Sequence, residues 1–457
     1  MQITYNNRWL VVAGGILIQL CLGIIYAWSV FTVPLTNPVV EGGYGFTAAQ
    51  TAWIFSTGLF TFSIFMILSG RLMRFISARL LTVAGGLLLG GSYIAAGFSG
   101  ISFPGLLLTI GILGGAGIGL AYAVPLKTGI AWYPDKVGLV SGLAVAGFGF
   151  GATFWVKAAG SWFGGGLLHN LSLFNLSGLE STYILYGFIL LSLIILGSFF
   201  MKMPPEGYSP KGWNPERDAL DPAFEKIDLK GKAMLRTPKF KLLFIMFFLS
   251  SFAGLMVIYC IKLFGIDALS QIDAGSASSI AGTAMAVYAI LNGLGRILYG
   301  KVSDILGRKK TLRLMNLLQA LMMASLFWLG QTPAGLVFAA AFIGLNYGGA
   351  FALFPAATAV YFGKKNVGEN YGWVFLAYGF AGIAGPLLAG IVKDSAAGSA
   401  SIDFWLIPFL AASAACLIAM VLTYFLSIPK VETSPDNSNV PSPIDPSKKL
   451  EEEPVTV

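Results

Sequence analysis

Twelve apolar runs divide this chain, near residues 9–34, 48–69, 80–98, 104–131, 138–160, 182–201, 240–264, 278–299, 311–329, 334–361, 370–391 and 404–428. A helix needs about 20 apolar residues to cross a bilayer. Hydrocarbon offers no water to stray backbone groups, so runs of this length fold as spanning helices. Only 11% of the residues are charged, against roughly 25% in soluble domains. The predicted class is an all-α integral membrane protein of twelve transmembrane helices. The first run follows Arg8 with no small-residue cleavage pattern, which reads as a span and not a removable signal.

The net charge of +8 at first points to nucleic acid, but its distribution excludes that reading. Lys and Arg concentrate at the loops between runs 2–3, 4–5, 6–7, 8–9 and 10–11, whereas the alternate loops hold only Lys393. Such asymmetry places the basic loops and both termini on the cytoplasmic side. The expected location is a plasma membrane, of the bacterial inner-membrane kind. Cys21, Cys260 and Cys416 sit in apolar runs without metal-ligand spacing, and His169, the sole histidine, falls in a polar loop. Neither a metal nor a cofactor is expected, and no nucleophile–base set points to an enzyme.

The two halves repeat. Gly70-Arg-Leu-Met-Arg74-Phe-Ile-Ser77-Ala-Arg79 parallels Gly300-Lys-Val-Ser-Asp304-Ile-Leu-Gly307-Arg308-Lys309 at an offset of 230 residues. The same offset pairs Pro125 with Pro355, Gly138 with Gly368, Gly142 with Gly372 and Phe150 with Phe380. A six-plus-six parallel repeat predicts two six-helix bundles with a site between them near the midplane. The expected division is a first bundle at 1–201, a charged linker at 202–239, a second bundle at 240–428 and a disordered tail at 429–457 rich in Pro, Ser, Asp and Glu.

The sequence Gly300–Lys309 resembles the signature loop of the major facilitator superfamily. Its first-half copy is degraded, with Arg74 where an aspartate is expected and Ser77 in place of glycine. Within that superfamily the chain is similar to the oxalate/formate antiporter and monocarboxylate porter branch. The stretches that carry this are Gly23–Phe31, Tyr122 with Trp132–Lys136 and Leu139–Gly147, Pro204–Trp213, Met234–Pro238 and Phe351–Pro355. The resemblance implies a transporter of small carboxylates working by alternating access, with the basic loop residues Gly300, Asp304, Gly307, Arg308 and Lys309 as its conformational motif.

Arg296 is the predicted anion-binding group. It lies about five residues, so roughly 7–8 Å, inside the basic loop, where an arginine is costly and usually faces a cavity or partner. Guanidinium stays charged there and binds both carboxylate oxygens. The resemblance places it where this branch keeps its helix-8 substrate arginine; the alternative is a structural arginine facing the loop. In helix 11 the chain departs from the oxalate antiporter, with Tyr378 where that protein carries a second cation. One arginine and a phenol suit a monoanion such as lactate, pyruvate, formate or acetate. Four residues before Arg296, where the monocarboxylate porters have an aspartate implicated in proton coupling, stands Asn292.

Lys127, inside run 4, is open to three readings: a second substrate cation that restores dicarboxylate binding, a proton carrier, or a lysine snorkelling to the surface. Lys157 and Lys262 lie near the outer ends of runs 5 and 7, as anion-attracting charges or interfacial snorkellers. Tyr26, Tyr122, Tyr347 and Phe351 are candidate walls of the site. No Asp or Glu lies well inside a run, so coupling is by anion exchange or by uptake of anion with a proton. The expected partners are a small carboxylate, a counter-anion or proton, and the lipid bilayer, with the protein a monomer. A membrane sensor that binds a carboxylate without moving it is the competing class.

Overall fold

The computed structural model describes residues 7–162, 166–176, 178–205, 207–210, 229, 231–363, 366–399 and 401–426. Among them, twelve helices are long and apolar enough to span a membrane. They are α1 (Trp9–Thr36), α2 (Ala48–Leu72), α3 (Ala78–Phe98), α4 (Phe103–Trp132), α5 (Val137–Gly160), α6 (Gly178–Ser198), α7 (Pro238–Ser270), α8 (Gly275–Leu306), α9 (Arg308–Leu329), α10 (Pro333–Phe362), α11 (Val367–Ser395) and α12 (Asp403–Phe425). No described residue is in a strand. Helices α1–α6 and α7–α12 form the two six-helix bundles expected from the repeat. The tail at 429–457 and most of the linker, 211–228 and 230, lie outside the described residues.

Side chains start several helices where the sequence supplies a hydroxyl. Thr47 and Gln50 form a reciprocal capping box on α2, Ser77 accepts from Leu80 to start α3, and Thr237 and Thr332 cap α7 and α10. Ser77, the departure from glycine in the first-half motif, thus serves as a helix cap.

The end of α8 differs from the sequence expectation. Gly300–Leu306 is not a loop but the last turns of the helix, which stops only at Gly307 with φ +81°. Nothing in Lys301–Leu306 breaks a helix, and the left-handed glycine is the first residue that does. Arg296 sits five residues before Lys301, the first charge of the basic stretch, and ten residues from the helix end, about 15 Å of rise.

The motif residues tie the α8–α9 turn to α12. Arg308 pairs with Asp304 at 2.8 Å and donates to the Ser303 carbonyl, Lys309 donates to the Tyr424 carbonyl, and Arg313 lies 3.6 Å over the Tyr424 ring. At the α4–α5 turn, Arg8 grips Asp135 with both guanidinium nitrogens at 3.2 Å and covers Tyr133. Burial works against that charge, yet the hydrogen bonds and charge of Asp135, with Tyr208, hold Arg8 above its ordinary value.

Two sets of contacts close the bundles on each other. On the face of the basic loops, Arg74 pairs with Glu369 of α11 at 3.0 Å and Arg71 lies 5.5 Å over Trp373. The arginine that replaces the expected aspartate is therefore a cross-bundle partner. On the opposite face the Asp394 carboxylate of α11 accepts from the Ala48 and Ala49 amides at 2.7 Å each, at the N-terminus of α2. Tyr259 of α7 donates to the Ala48 carbonyl beside it. A carboxylate on a helix N-terminus is favoured by both hydrogen bonds and dipole. The Arg74 side chain is 61% exposed, and such pairs contribute about 1 kcal/mol or less, so the face opposite the basic loops is the more firmly held.

Asp394→Asn should loosen that face. Loss of about 1.5 kcal/mol of charge-assisted bonding corresponds to a roughly tenfold rise in the open population. The reaction rate of an impermeant maleimide with a thiol at Thr51→Cys should rise by that factor, whereas Arg74→Ala should leave it near the parental value.

Candidate substrate site

Arg296 reaches from α8 of the second bundle across the seam to α5 of the first. Its Nη1 donates to the Val145 carbonyl and its Nη2 to Asn292 Oδ1 at 3.1 Å, one turn back on its own helix. Arg296 is 3% exposed and Asn292 is fully buried. The guanidinium carbon lies 4.4 Å over the Phe351 ring and 5.8 Å from that of Phe148, a cation–π arrangement that gains strength when dry. Among the described residues no carboxylate pairs with it. Two donors at the centre remain without acceptors, Arg296 Nε and Asn292 Nδ2.

Close backbone approach makes this reach possible. A Cβ on Gly348 of α10 would sit 2.0 Å from the Asn292 carbonyl, and one on Gly149 of α5 would sit 2.9 Å from the Gly293 amide. Glycine at these two places lets α10 and α5 press on α8 from either side. In α1, residues Gly23–Ala27 tighten to a 3₁₀ turn, a local departure that often marks a functional segment, and it carries Tyr26 into the site.

The structure brings together Arg296, Asn292, Tyr26, Tyr122, Tyr347, Phe351 and Tyr378. The Tyr378 hydroxyl of α11 donates to the Tyr26 hydroxyl at 3.2 Å, linking the bundles. Tyr122 lies beside the guanidinium, and Tyr347 packs on Phe351 at 5.3 Å with its hydroxyl beside that of Tyr26. All are buried and closed to solvent. Lys127 is not brought in. It is exposed on α4 and its charged neighbour is Arg74, on the side of the basic loops.

Three wall residues escape the sequence reading: Phe62 of α2, Phe148 of α5 and Phe375 of α11. Phe62 meets Tyr122 at 5.1 Å, Phe375 at 5.3 Å and Tyr378 at 5.8 Å; Phe148 meets Tyr26 edge-on at 5.0 Å; Phe375 stacks on Tyr378 at 4.7 Å. With 14% aromatic residues in the chain, ring content alone does not single them out. The repeat does, because the 230-residue offset pairs Phe62 with Asn292, Phe148 with Tyr378 and Val145 with Phe375.

Twelve spanning helices in two bundles, with the buried Arg296 on the seam between them, define a multi-pass membrane transporter and not an enzyme. The sequence model of the Major Facilitator Superfamily matches residues 19–282 and 268–456, and the chain belongs to that family. It is 27% identical to the oxalate:formate antiporter of Oxalobacter formigenes over 93% of each chain. It is 28% identical to the MFS-type transporter YhjX of Escherichia coli strain K12, covering 83% of this chain and 86% of that one. Against the apicoplast pyruvate carrier 1 of Toxoplasma gondii it is 25% identical over 81% of each. Solved structures share the fold: a bacterial homologue of the human lysosomal transporter Spinster aligns with TM-score 0.65 at 17% identity, covering 93% of this chain and 98% of that one. The xylose transporter XylE of E. coli aligns with TM-score 0.64 at 14% identity, covering 92% and 97%.

An acid placed beside Arg296 would pair with its guanidinium. Asn292→Asp should weaken binding of a small labelled carboxylate at least tenfold in an equilibrium assay at neutral pH, while Asn292→Ser should stay within about threefold of the parent.

Proposed function

We propose that this transporter exchanges small monocarboxylates of the lactate, pyruvate, formate or acetate type by alternating access, with Arg296 as the anion-binding group. The observation that carries the reading is the guanidinium itself, sealed on the seam with no acidic partner among the described residues. A carboxylate entering there meets a positive charge and two unused donors, Arg296 Nε and Asn292 Nδ2, the elements of a charge-assisted pair. The rings of Phe351, Phe62 and Phe148 supply an apolar wall for a methyl group. The phenol of Tyr378 stands where a dicarboxylate asks for a second cation, and Lys127 is exposed, which favours one negative charge. The carboxylates in the names of two relatives, an oxalate:formate antiporter and a pyruvate carrier, agree with the substrate class.

The same charge argues for exchange. Carrying an empty, unpaired guanidinium through the closed state costs several kcal/mol, and a bound anion offsets much of that. No carboxylate of the described residues lies beside Arg296 to take over this role by titrating. The moving bodies are the bundles 1–201 and 240–428, joined by 202–239, with Gly300, Asp304, Gly307, Arg308 and Lys309 fastening the α8–α9 turn so that the second bundle moves as a unit. The basic loops and both termini face the cytoplasm of a plasma membrane.

Proteoliposomes loaded with L-lactate provide the test. Labelled lactate should enter against internal lactate at least tenfold faster than against anion-free buffer, formate should compete, and oxalate should not. Tyr378→Lys should confer competition by oxalate. Equal competition by oxalate in the parent would show that a second cation serves the site, and binding without any exchange would identify a sensor.

A further inference from the structure

A second buried cation lies on the seam, unused by the site just described. Lys262 stands on α7 and is 6% exposed. Among the described residues its ammonium has neither an ion pair nor a hydrogen bond. A lysine near a helix end ordinarily stretches to water, but most of this side chain is covered by the first bundle. Its Nζ lies 3.9 Å from where a Cβ on Gly160 of α5 would be, and the same position is 3.1 Å from Val30 of α1. The absent side chain at Gly160 leaves room for the ammonium, which reaches from α7 of the second bundle to α1 and α5 of the first.

The depth of this group follows from the pairing of α5 with α8. Arg296 meets the Val145 carbonyl, Thr153 donates to the Ala286 carbonyl, and Lys157 donates to Thr283 at 2.9 Å. Gly160 lies fifteen residues beyond Val145, about 22 Å along the axis, toward the face where Asp394 holds α2. Lys262 and Arg296 thus occupy one seam at two depths. Lys157, between them, already has the Thr283 hydroxyl as its partner.

An unpaired ammonium in such a place is costly, and an apolar residue would pack there without that cost. We propose that Lys262 is an outer anion-binding position. It takes the carboxylate when the face opposite the basic loops opens and exchanges it with Arg296 deeper on the seam. This deepens the reading of the preceding subsection and rests on it for the substrate class. Parting of the bundles draws α1 and α5 away from α7 and presents the ammonium to the outer vestibule, where low-dielectric walls concentrate its field. Closure returns it to the recess at Gly160 and Val30.

The test uses the full chain in proteoliposomes, with lactate exchange measured against outer and inner lactate separately. Lys262→Met should raise the outer KM at least fivefold with kcat and the inner KM within twofold, and Lys262→Arg should restore the outer KM. An unchanged outer KM, an equal change at both faces, or an arginine variant as impaired as the methionine one overturns the proposal. A second readout is independent of the substrate. In a chain with Cys21, Cys260 and Cys416 replaced by serine, a thiol at Val30→Cys is reacted with negatively and positively charged methanethiosulfonates. The ratio of the two rates should fall at least threefold when Lys262→Met is added, and an unchanged ratio overturns the site. If the ratio falls while the parent exchanges no monocarboxylate, the substrate reading fails and the anion position stands.

Discussion

A guanidinium with no carboxylate partner among the described residues, held about 15 Å from the end of its helix, is the constraint around which this molecule is arranged. Insertion scales put such a residue at roughly 2.5–3.5 kcal/mol and isolated-helix estimates run several times higher. What holds Arg296 is assembled from both bundles: the Val145 carbonyl from one, the Asn292 oxygen and the Phe351 face from the other. These neutral partners orient the charge without cancelling it. On the proposed reading the remaining stabilisation comes from a bound anion, with Arg296 as a binding group.

Much of the architecture is legible in the sequence because its signals are long. Spans of about twenty apolar residues, one-sided lysines and arginines and the 230-residue repeat each draw on many residues, so local exceptions do not erase them. The boundary of α8 depends on a single residue and was misplaced. Gly300 has the composition of a loop start, but only Gly307 takes a positive φ, and the helix continues through the polar residues between. The site is legible in part. Arg296, Asn292 and Tyr378 stand out as charged or polar groups in apolar surroundings, whereas Phe62, Phe148 and Phe375 resemble every other ring until the repeat register is applied to them.

Arg74 shows how a motif changes meaning with its partner. Read along the chain it is a damaged copy of Asp304. In three dimensions it faces Glu369 of the other bundle, while Asp304 pairs locally with Arg308. The two faces are closed by unlike means, an exposed ion pair on one and a carboxylate seated on a helix N-terminus on the other. Exposed pairs form and break at little cost, so the resting molecule is biased to open toward the basic loops. Along the seam, glycines such as Gly149 bring the backbones close enough for small displacements to open or shut the path.

On the proposed reading the charge of Arg296 is kept for the substrate at the expense of the empty protein's stability. Thermal unfolding of the purified full chain and of Arg296→Met, each with and without lactate, tests it directly. The empty variant should melt at or above the temperature of the empty parent, because a buried charge has been replaced by an apolar chain of similar length. Lactate should raise the midpoint of the parent alone. A variant that melts well below the parent and is still stabilised by lactate would contradict this reading, and would make Arg296 a structural residue with the anion bound elsewhere.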